Sequence, residues 1–266
     1  MNRIGRAFAA LSAKNEKMLV GFVTAGDPSF DRSLELIKEM CSAGLDLLEL
    51  GVPFSDPTAD GPVIQRSSGR ALKAGISLTR VLEMSSMLRK HTNIPIVLFS
   101  YYNPILSYGL ERFHDDAVGA GVDGLLVVDL PPEEAEEMTS LWPDNSLDLI
   151  RLIAPTTPVE RMARIAAGAS GFLYLVSMTA VTGSAGLDIE EVKRLVATVK
   201  KTTRLPICVG FGISKPEQVA AISTVADGVV VGSAFERLIE ENLTNPDLPK
   251  LLADYVRTLK AATKIA

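Results

Sequence analysis

The residue types most suited to chemistry in this chain are two carboxylates, Glu49 and Asp60. Both lie in Leu48–Gly61, which reads Leu-Glu-Leu-Gly-Val-Pro-Phe-Ser-Asp-Pro-Thr-Ala-Asp-Gly. Glu49 interrupts an apolar run of strand type, Leu47, Leu48 and Leu50 being its neighbours. An acid inside such a run is either paired with a base or desolvated, and desolvation raises its pKa into the range of a general acid/base. Gly51-Val-Pro53 breaks the strand, and the loop carries Asp56 and Asp60 onward. An aspartate in a Pro/Gly loop also serves as a turn or helix-capping residue, so Asp60 and Asp56 are weaker candidates than Glu49.

A second signal comes from glycines. Gly212 and Gly232 fall just after apolar runs, Gly183 lies in the Ser177–Gly186 loop that follows another, and Ser233 opens a helical stretch. Backbone N–H groups at such positions can approach an anion, and a helix N-terminus favours negative charge. One such match is weak; three together point to a phosphorylated ligand.

Absences narrow the reaction class. No Lys lies in any expected strand, which disfavours a Schiff-base aldolase. His91 and His114 fall on helical segments, which disfavours a metal site built on histidines. Cys41 and Cys208 have neither a disulfide framework nor metal-ligand spacing. Carboxylate acid/base chemistry on a phosphorylated small molecule is what is left, with no metal.

The elements that must hold these residues alternate regularly. Apolar strands are expected at Met18–Thr24, Leu45–Leu50, Ile96–Ser100, Gly124–Val128, Asp148–Ile153, Gly171–Val176, Pro206–Val209 and Gly228–Val231. Helices fall between them, including Ser33–Ala43, Pro62–Ala74, Leu78–Lys90, Leu110–Ala120 and Pro132–Leu141. Continuous rather than alternating apolar strands mean that both sheet faces are covered, as in a parallel sheet. An open doubly wound sheet competes, but no Gly-x-Gly-x-x-Gly follows the first strand. Eight βα units favour an α/β (β/α)8 TIM barrel spanning residues 1–266 as one domain. Extra helices are expected at the N-terminus, in the second βα unit and after strand eight. The candidate residues then sit at the strands' C-terminal ends, where such barrels carry their sites.

Composition agrees with a soluble globular chain: 266 residues, 47% hydrophobic and 22% charged. A net charge of −5 disfavours nucleic acid, which requires clustered Lys and Arg. No apolar run approaches the roughly 18 residues of a membrane span. The amphipathic opening, with Ile4, Phe8 and Leu11 on one face, reads as a helix rather than an export signal, so a cytoplasmic protein is expected.

Several motifs carry a closer likeness: Phe22-Val-Thr-Ala-Gly-Asp-Pro28, Leu48–Pro57 with its extension through Ala59-Asp-Gly-Pro62, Tyr101-Tyr-Asn-Pro104, Val181-Thr-Gly183, Gly210-Phe-Gly-Ile-Ser214 and Gly232-Ser-Ala234. On these residues the chain resembles the alpha subunit of tryptophan synthase over nearly its whole length. The resemblance implies a lyase of tryptophan biosynthesis that cleaves indole-3-glycerol phosphate to indole and D-glyceraldehyde 3-phosphate. A free-standing lyase releasing indole without a partner is the alternative.

By the same resemblance, Glu49 matches the general acid/base and Asp60 the carboxylate that bonds the indole N–H. Gly183, Gly212, Ile213, Gly232 and Ser233 match the phosphate cradle. Phe22, Ile64, Tyr101, Leu126, Tyr174 and Phe211 match the substrate pocket, and Thr182 the closing-loop position beside Asp60. A tryptophan synthase beta subunit is the implied partner in an α2β2 heterotetramer. Pyridoxal phosphate is expected in that partner and no cofactor in this chain. Three positions depart from the family pattern: Thr58 stands where Leu is usual, Ala180 where Gly is usual, and Met178 where some members carry Arg.

Overall fold

A computed structural model describes residues 2–142, 146–176, 188–210 and 212–264. Eight parallel strands close into a barrel in sequence order. They are β1 (Met18–Thr24), β2 (Leu47–Gly51), β3 (Ile96–Ser100), β4 (Gly124–Val127), β5 (Asp148–Ile153), β6 (Leu173–Val176), β7 (Ile207–Gly210) and β8 (Gly228–Val231). Closure is made by β1 against β8, with Met18 opposite Gly228 and Gly21 opposite Val231.

The helices wrap this barrel. They are α1 (Arg3–Ala13), α2 (Phe30–Ser42), α3 (Pro62–Lys73), α4 (Leu78–Arg89), α5 (Tyr102–Tyr108), α6 (Leu110–Gly119), α7 (Ala135–Thr139), α8 (Val159–Ala167), α9 (Ile189–Lys200), α10 (Pro216–Ser223), α11 (Ser233–Glu241) and α12 (Leu248–Ala261). The expected barrel is therefore present, with the expected additions α1, the α3–α4 pair of the second unit and α12 after α11, and one addition that was not expected, the α5–α6 pair of the third unit. No described helix is long and apolar enough to cross a membrane.

Strand parity divides the core in two. Met18, Val20, Leu47, Val97, Leu126, Ile150, Phe172, Tyr174, Cys208 and Val230 fill the barrel interior, together with Ile4. Residues one position away, such as Leu19, Leu48, Leu50 and Val229, pack outward against the helices. Two buried faces explain why each strand reads as an unbroken apolar run. From α1, Ala7, Phe8 and Leu11 pack with Ile4 onto the interior cluster and stop the barrel's lower end.

Register is pinned at that lower end by aspartates that precede the strands. Asp46 accepts the N–H of Leu19 at 2.8 Å, Asp123 that of Ile96 at 2.8 Å, and Asp227 that of Ile207 at 3.0 Å. Each also meets a cation: Lys260 for Asp46, Arg3 and Arg89 for Asp123, and Lys200 for Asp227. Charge-assisted bonds of this kind contribute roughly 1.5–3 kcal/mol each. They hold neighbouring strands in step, so the opposite ends of those strands arrive at fixed heights.

Two local expectations needed correction. Pro132–Leu141 is not one helix: Pro132–Glu134 forms a tight 3-10 turn and α7 covers only Ala135–Thr139. Pro132 takes the first position of this turn, where no backbone donor is needed, and the Glu134 N–H closes it on the Pro131 carbonyl at 3.1 Å. Between the strand expected at Ile96–Ser100 and the helix expected at Leu110–Ala120 stands a further helix, α5, with Tyr101 as its N-terminal cap. The carboxylate of Asp129, 27 positions away, accepts the Tyr102 N–H at 2.7 Å, so this helix start is held by a residue from the next βα loop.

Candidate active site

A cavity of about 490 Å³ opens at the C-terminal ends of the strands. β1 sends in Phe22 and β2 sends in Glu49, whose Cα positions are partners across the two strands. Phe22 meets Phe99 of β3 edge to face, with ring centroids 5.2 Å apart. Val128, Leu152, Tyr174, Val176 and Val230 continue the apolar wall, and Ile64 closes it from α3. The result is an apolar slot with polar groups at its ends, the usual build of a small-molecule site.

Glu49 is 1% exposed, and no described N–H or O–H reaches either of its oxygens. Burial pushes its pKa from 4.5 to about 8. The desolvating groups differ from those the sequence suggests. Leu48 and Leu50 face outward, away from the carboxyl, and lie in the helix-facing core. Phe22 and Val97 stand across the strands, and Tyr174 and Cys208 lie close enough for the charge of Glu49 to push both their pKa values further up.

Asp60 lines the same cavity from the loop between β2 and α3. That loop is tied to itself, with Thr58 N–H donating to the Asp56 carbonyl at 2.9 Å. Tyr101 anchors it from the end of β3. Its hydroxyl accepts the Ala59 N–H at 2.9 Å and bonds the Asp60 carboxyl. Burial raises the Asp60 pKa, and the Tyr101 bond opposes that rise. Burial, with Asp60 adding to it, pushes Tyr101 up to about 12, so its hydroxyl keeps its proton. Tyr101 is thus a support behind Asp60 rather than a residue of the cavity wall.

The other end is built by backbone. Gly212, Gly232 and Ser233 line it, and Arg237 stands one turn along α11 from Ser233. Gly212 has φ +72°, a left-handed conformation that a side chain would strain. The first bonded N–H of α11 is that of Phe235, which donates to the Gly232 carbonyl at 2.9 Å, leaving the earlier turn to point its amides outward. Arg237 is the only cation on the described cavity wall. Spacing from Ser233, four residues along a helix, was the signal by which the sequence could have found it.

Eight of the expected site residues therefore share one cavity: Phe22, Glu49, Asp60, Ile64, Tyr174, Gly212, Gly232 and Ser233. Leu126 lies on β4 in the barrel interior, and Val128, two residues further on, reaches the wall instead. The Ile213 side chain is buried in the layer beneath the helices, so its backbone is what it can offer a ligand. Thr182, Gly183 and Phe211, with Met178 and Ala180, lie outside the described residues. A second cleft of about 460 Å³, lined by Phe8, Lys17, Lys200 and Arg204 among others, sits at the strands' opposite end. It shares no residue with the first. Among the described residues no three His, Cys, Asp or Glu side chains gather as metal ligands.

Known proteins resemble the chain throughout. The model of the family described as tryptophan synthase alpha chain matches residues 8–264. The tryptophan synthase alpha chain of Desulfatibacillum aliphaticivorans is 63% identical over 264 residues, which span 99% of this chain and 100% of that one. That of Desulfosudis oleivorans is 62% identical over 265 residues, with full coverage of both. Among solved structures, tryptophan synthase subunit alpha from Legionella pneumophila superposes with a TM-score of 0.92 at 40% identity, covering 99% of this chain and 98% of that one.

Proposed function

The chain belongs to the tryptophan synthase alpha chain family, and on that premise we infer how its cavity works. The enzyme is a carbon–carbon lyase of tryptophan biosynthesis. It cleaves indole-3-glycerol phosphate to indole and D-glyceraldehyde 3-phosphate. One observation carries the assignment of residues to steps: a carboxyl buried in the barrel wall, with neither oxygen bonded by the described protein groups, faces an apolar slot.

With its pKa raised to about 8, Glu49 holds a proton at neutral pH. It delivers that proton to C3 of the indole ring, which places positive charge on the ring nitrogen. Asp60 accepts the ring N–H and stabilises this charge as it develops. The Glu49 carboxylate then takes the proton of the glycerol hydroxyl next to the ring. The O–H electrons form the aldehyde carbonyl, the carbon–carbon bond breaks, and its electrons return to the ring. Indole and the aldehyde phosphate leave, and Glu49 is protonated again. A group of shifted pKa can act as both acid and base in this way without another proton donor.

Phe22, Phe99, Tyr174 and Ile64 supply the indole slot. Gly212, Ile213, Gly232 and Ser233 bind the phosphate through backbone amides, with Gly183 completing the cradle and Arg237 adding a cation. Phosphate held at one end fixes the reacting carbon at the other, which converts remote binding into positioning. A tryptophan synthase beta subunit is the partner, in an α2β2 assembly in the cytoplasm. That subunit carries the pyridoxal phosphate, and this chain uses none of its own.

Measuring indole release from indole-3-glycerol phosphate by the pure chain, with and without the beta subunit, tests the assignment. Activity raised by the partner and lost in Glu49→Gln is expected. Normal turnover by Glu49→Gln would remove Glu49 from the mechanism.

A further inference from the structure

Behind the phosphate end lies a buried carboxyl pair that the reaction does not use. Glu236 of α11 is 0% exposed and Asp27, in the turn after β1, is 1% exposed. One oxygen of Glu236 accepts the Thr24 N–H at 2.6 Å. Its other oxygen receives no N–H or O–H from the described protein groups, yet the carboxyl lies at hydrogen-bonding range of Asp27. Two carboxylates cannot bond unless one carries a proton. Arg70 of α3 forks both oxygens of Asp27 at 2.7 Å, which leaves Glu236 as the carboxyl that donates within the pair. Burial and the facing Asp27 both drive Glu236 toward its neutral form.

The pair sits at a junction. Arg70 also reaches Glu240 of α11 at 2.8 Å, and Arg66 of α3 forks Glu240 at 2.7 Å. Thr24 Oγ1 meets Ser67 Oγ of α3 at 2.7 Å. The groups facing Glu236 are thus Asp27 and the Thr24 amide from β1 and its turn, and Arg70 from α3. On the α12 side of α11, Tyr255 packs against the ring of Phe235. α3 begins next to Asp60, and Glu236 lies less than one turn after Ser233.

We propose that Glu236 is a positioning residue: protonated and donating to Asp27, it locks the N-terminus of α11 to β1 and α3, and so sets the phosphate end against the Asp60 end. The proposal rests on the phosphate-binding reading above. Gln at 236 reproduces the neutral acid, with an oxygen for Thr24 N–H and an N–H for Asp27, whereas Leu reproduces neither.

The full chain with Glu236→Gln and with Glu236→Leu tests this, read by KM and kcat for indole-3-glycerol phosphate and by inhibition with glycerol 3-phosphate. Glu236→Gln should match the parent. Glu236→Leu should raise KM and the inhibition constant by about tenfold while kcat stays within about twofold. Glu236→Gln as damaged as Glu236→Leu, or Glu236→Leu losing melting temperature with KM unchanged, would overturn the proposal. A proton count needs no second fold: unfolding Glu236→Gln at pH 7 should release about one proton fewer than unfolding the parent. An equal count would also overturn it. A parent chain that binds no glycerol 3-phosphate overturns the phosphate reading and this proposal with it, and the proton count tells the two failures apart.

Discussion

Gly210 and Tyr174 stand on adjoining strands so close together that a Cβ on Gly210 would lie 2.3 Å from the tyrosine hydroxyl. Tyr174 is a wall of the cavity, and its ring has no slack on that side. Gly210→Ala should therefore push the ring toward the substrate and lower kcat/KM by about tenfold or more, the scale of an overpacked core at roughly 1–3 kcal/mol. Adding Tyr174→Phe removes the hydroxyl contact but leaves the ring carbon at 2.7 Å, so the double variant should recover only part of the loss. Steady-state kinetics decide it, and a Gly210→Ala enzyme within twofold of the parent would refute the crowding.

Glu49 should also be a liability for folding. Its pKa is 4.5 ordinarily and about 8 in the fold, so between those values the folded chain holds a proton that the unfolded chain gives up. Stability associated with this group falls as pH rises through that window, by roughly 5 kcal/mol at its upper end. Glu49→Gln removes the penalty. The variant should unfold at clearly higher denaturant than the parent at pH 8.5 and show little of that gain at pH 4.5. Equal differences at the two pH values would show that Glu49 is not the titrating group. The same substitution should reduce turnover by about a thousandfold, within the usual range for losing a general acid/base.

The pH–rate profile follows from the same residue. Because the free enzyme must present a protonated Glu49, kcat/KM should fall as pH rises past about 8. Rates measured from pH 6 to 9.5 would check this, and a flat alkaline limb would place the first proton elsewhere.

Tyr101→Phe should loosen the Asp60 loop without touching the cavity wall. It leaves the Ala59 N–H without its acceptor and removes the bond to Asp60, an effect of roughly 1–2 kcal/mol. A fall in kcat of about tenfold, larger than any rise in KM, is expected from stopped assays of indole formation. Unchanged kcat would mean that the loop is held by its internal bonds alone.

Much of this was readable from residue order. Unbroken apolar runs announced a sheet buried on both faces, and glutamate within one of them announced an uncommon environment. What stood outside local reach involved partners far apart in the chain. α5 owes its start to Asp129, and the register of β1, β3 and β7 is held by Asp46, Asp123 and Asp227, each one residue before the strand that follows. Parity was legible but depth along the barrel was not, so the order of residues could not show that Val128 rather than Leu126 reaches the cavity wall. Apart from its spacing from Ser233, Arg237 carries no local signal of its role, since a lone arginine on a helix is ordinarily a solvated residue.

The pairing of β1 with β8 makes catalytic competence a late event in the life of the chain. Phe22 and Glu49 are made early in synthesis, whereas Gly232 and Ser233 arrive only with the last strand. An N-terminal fragment lacks one end of the cavity, however well its strands have formed. Indole release is for that reason a test of complete ring closure, and a refolding chain should regain activity only when its final strand meets its first.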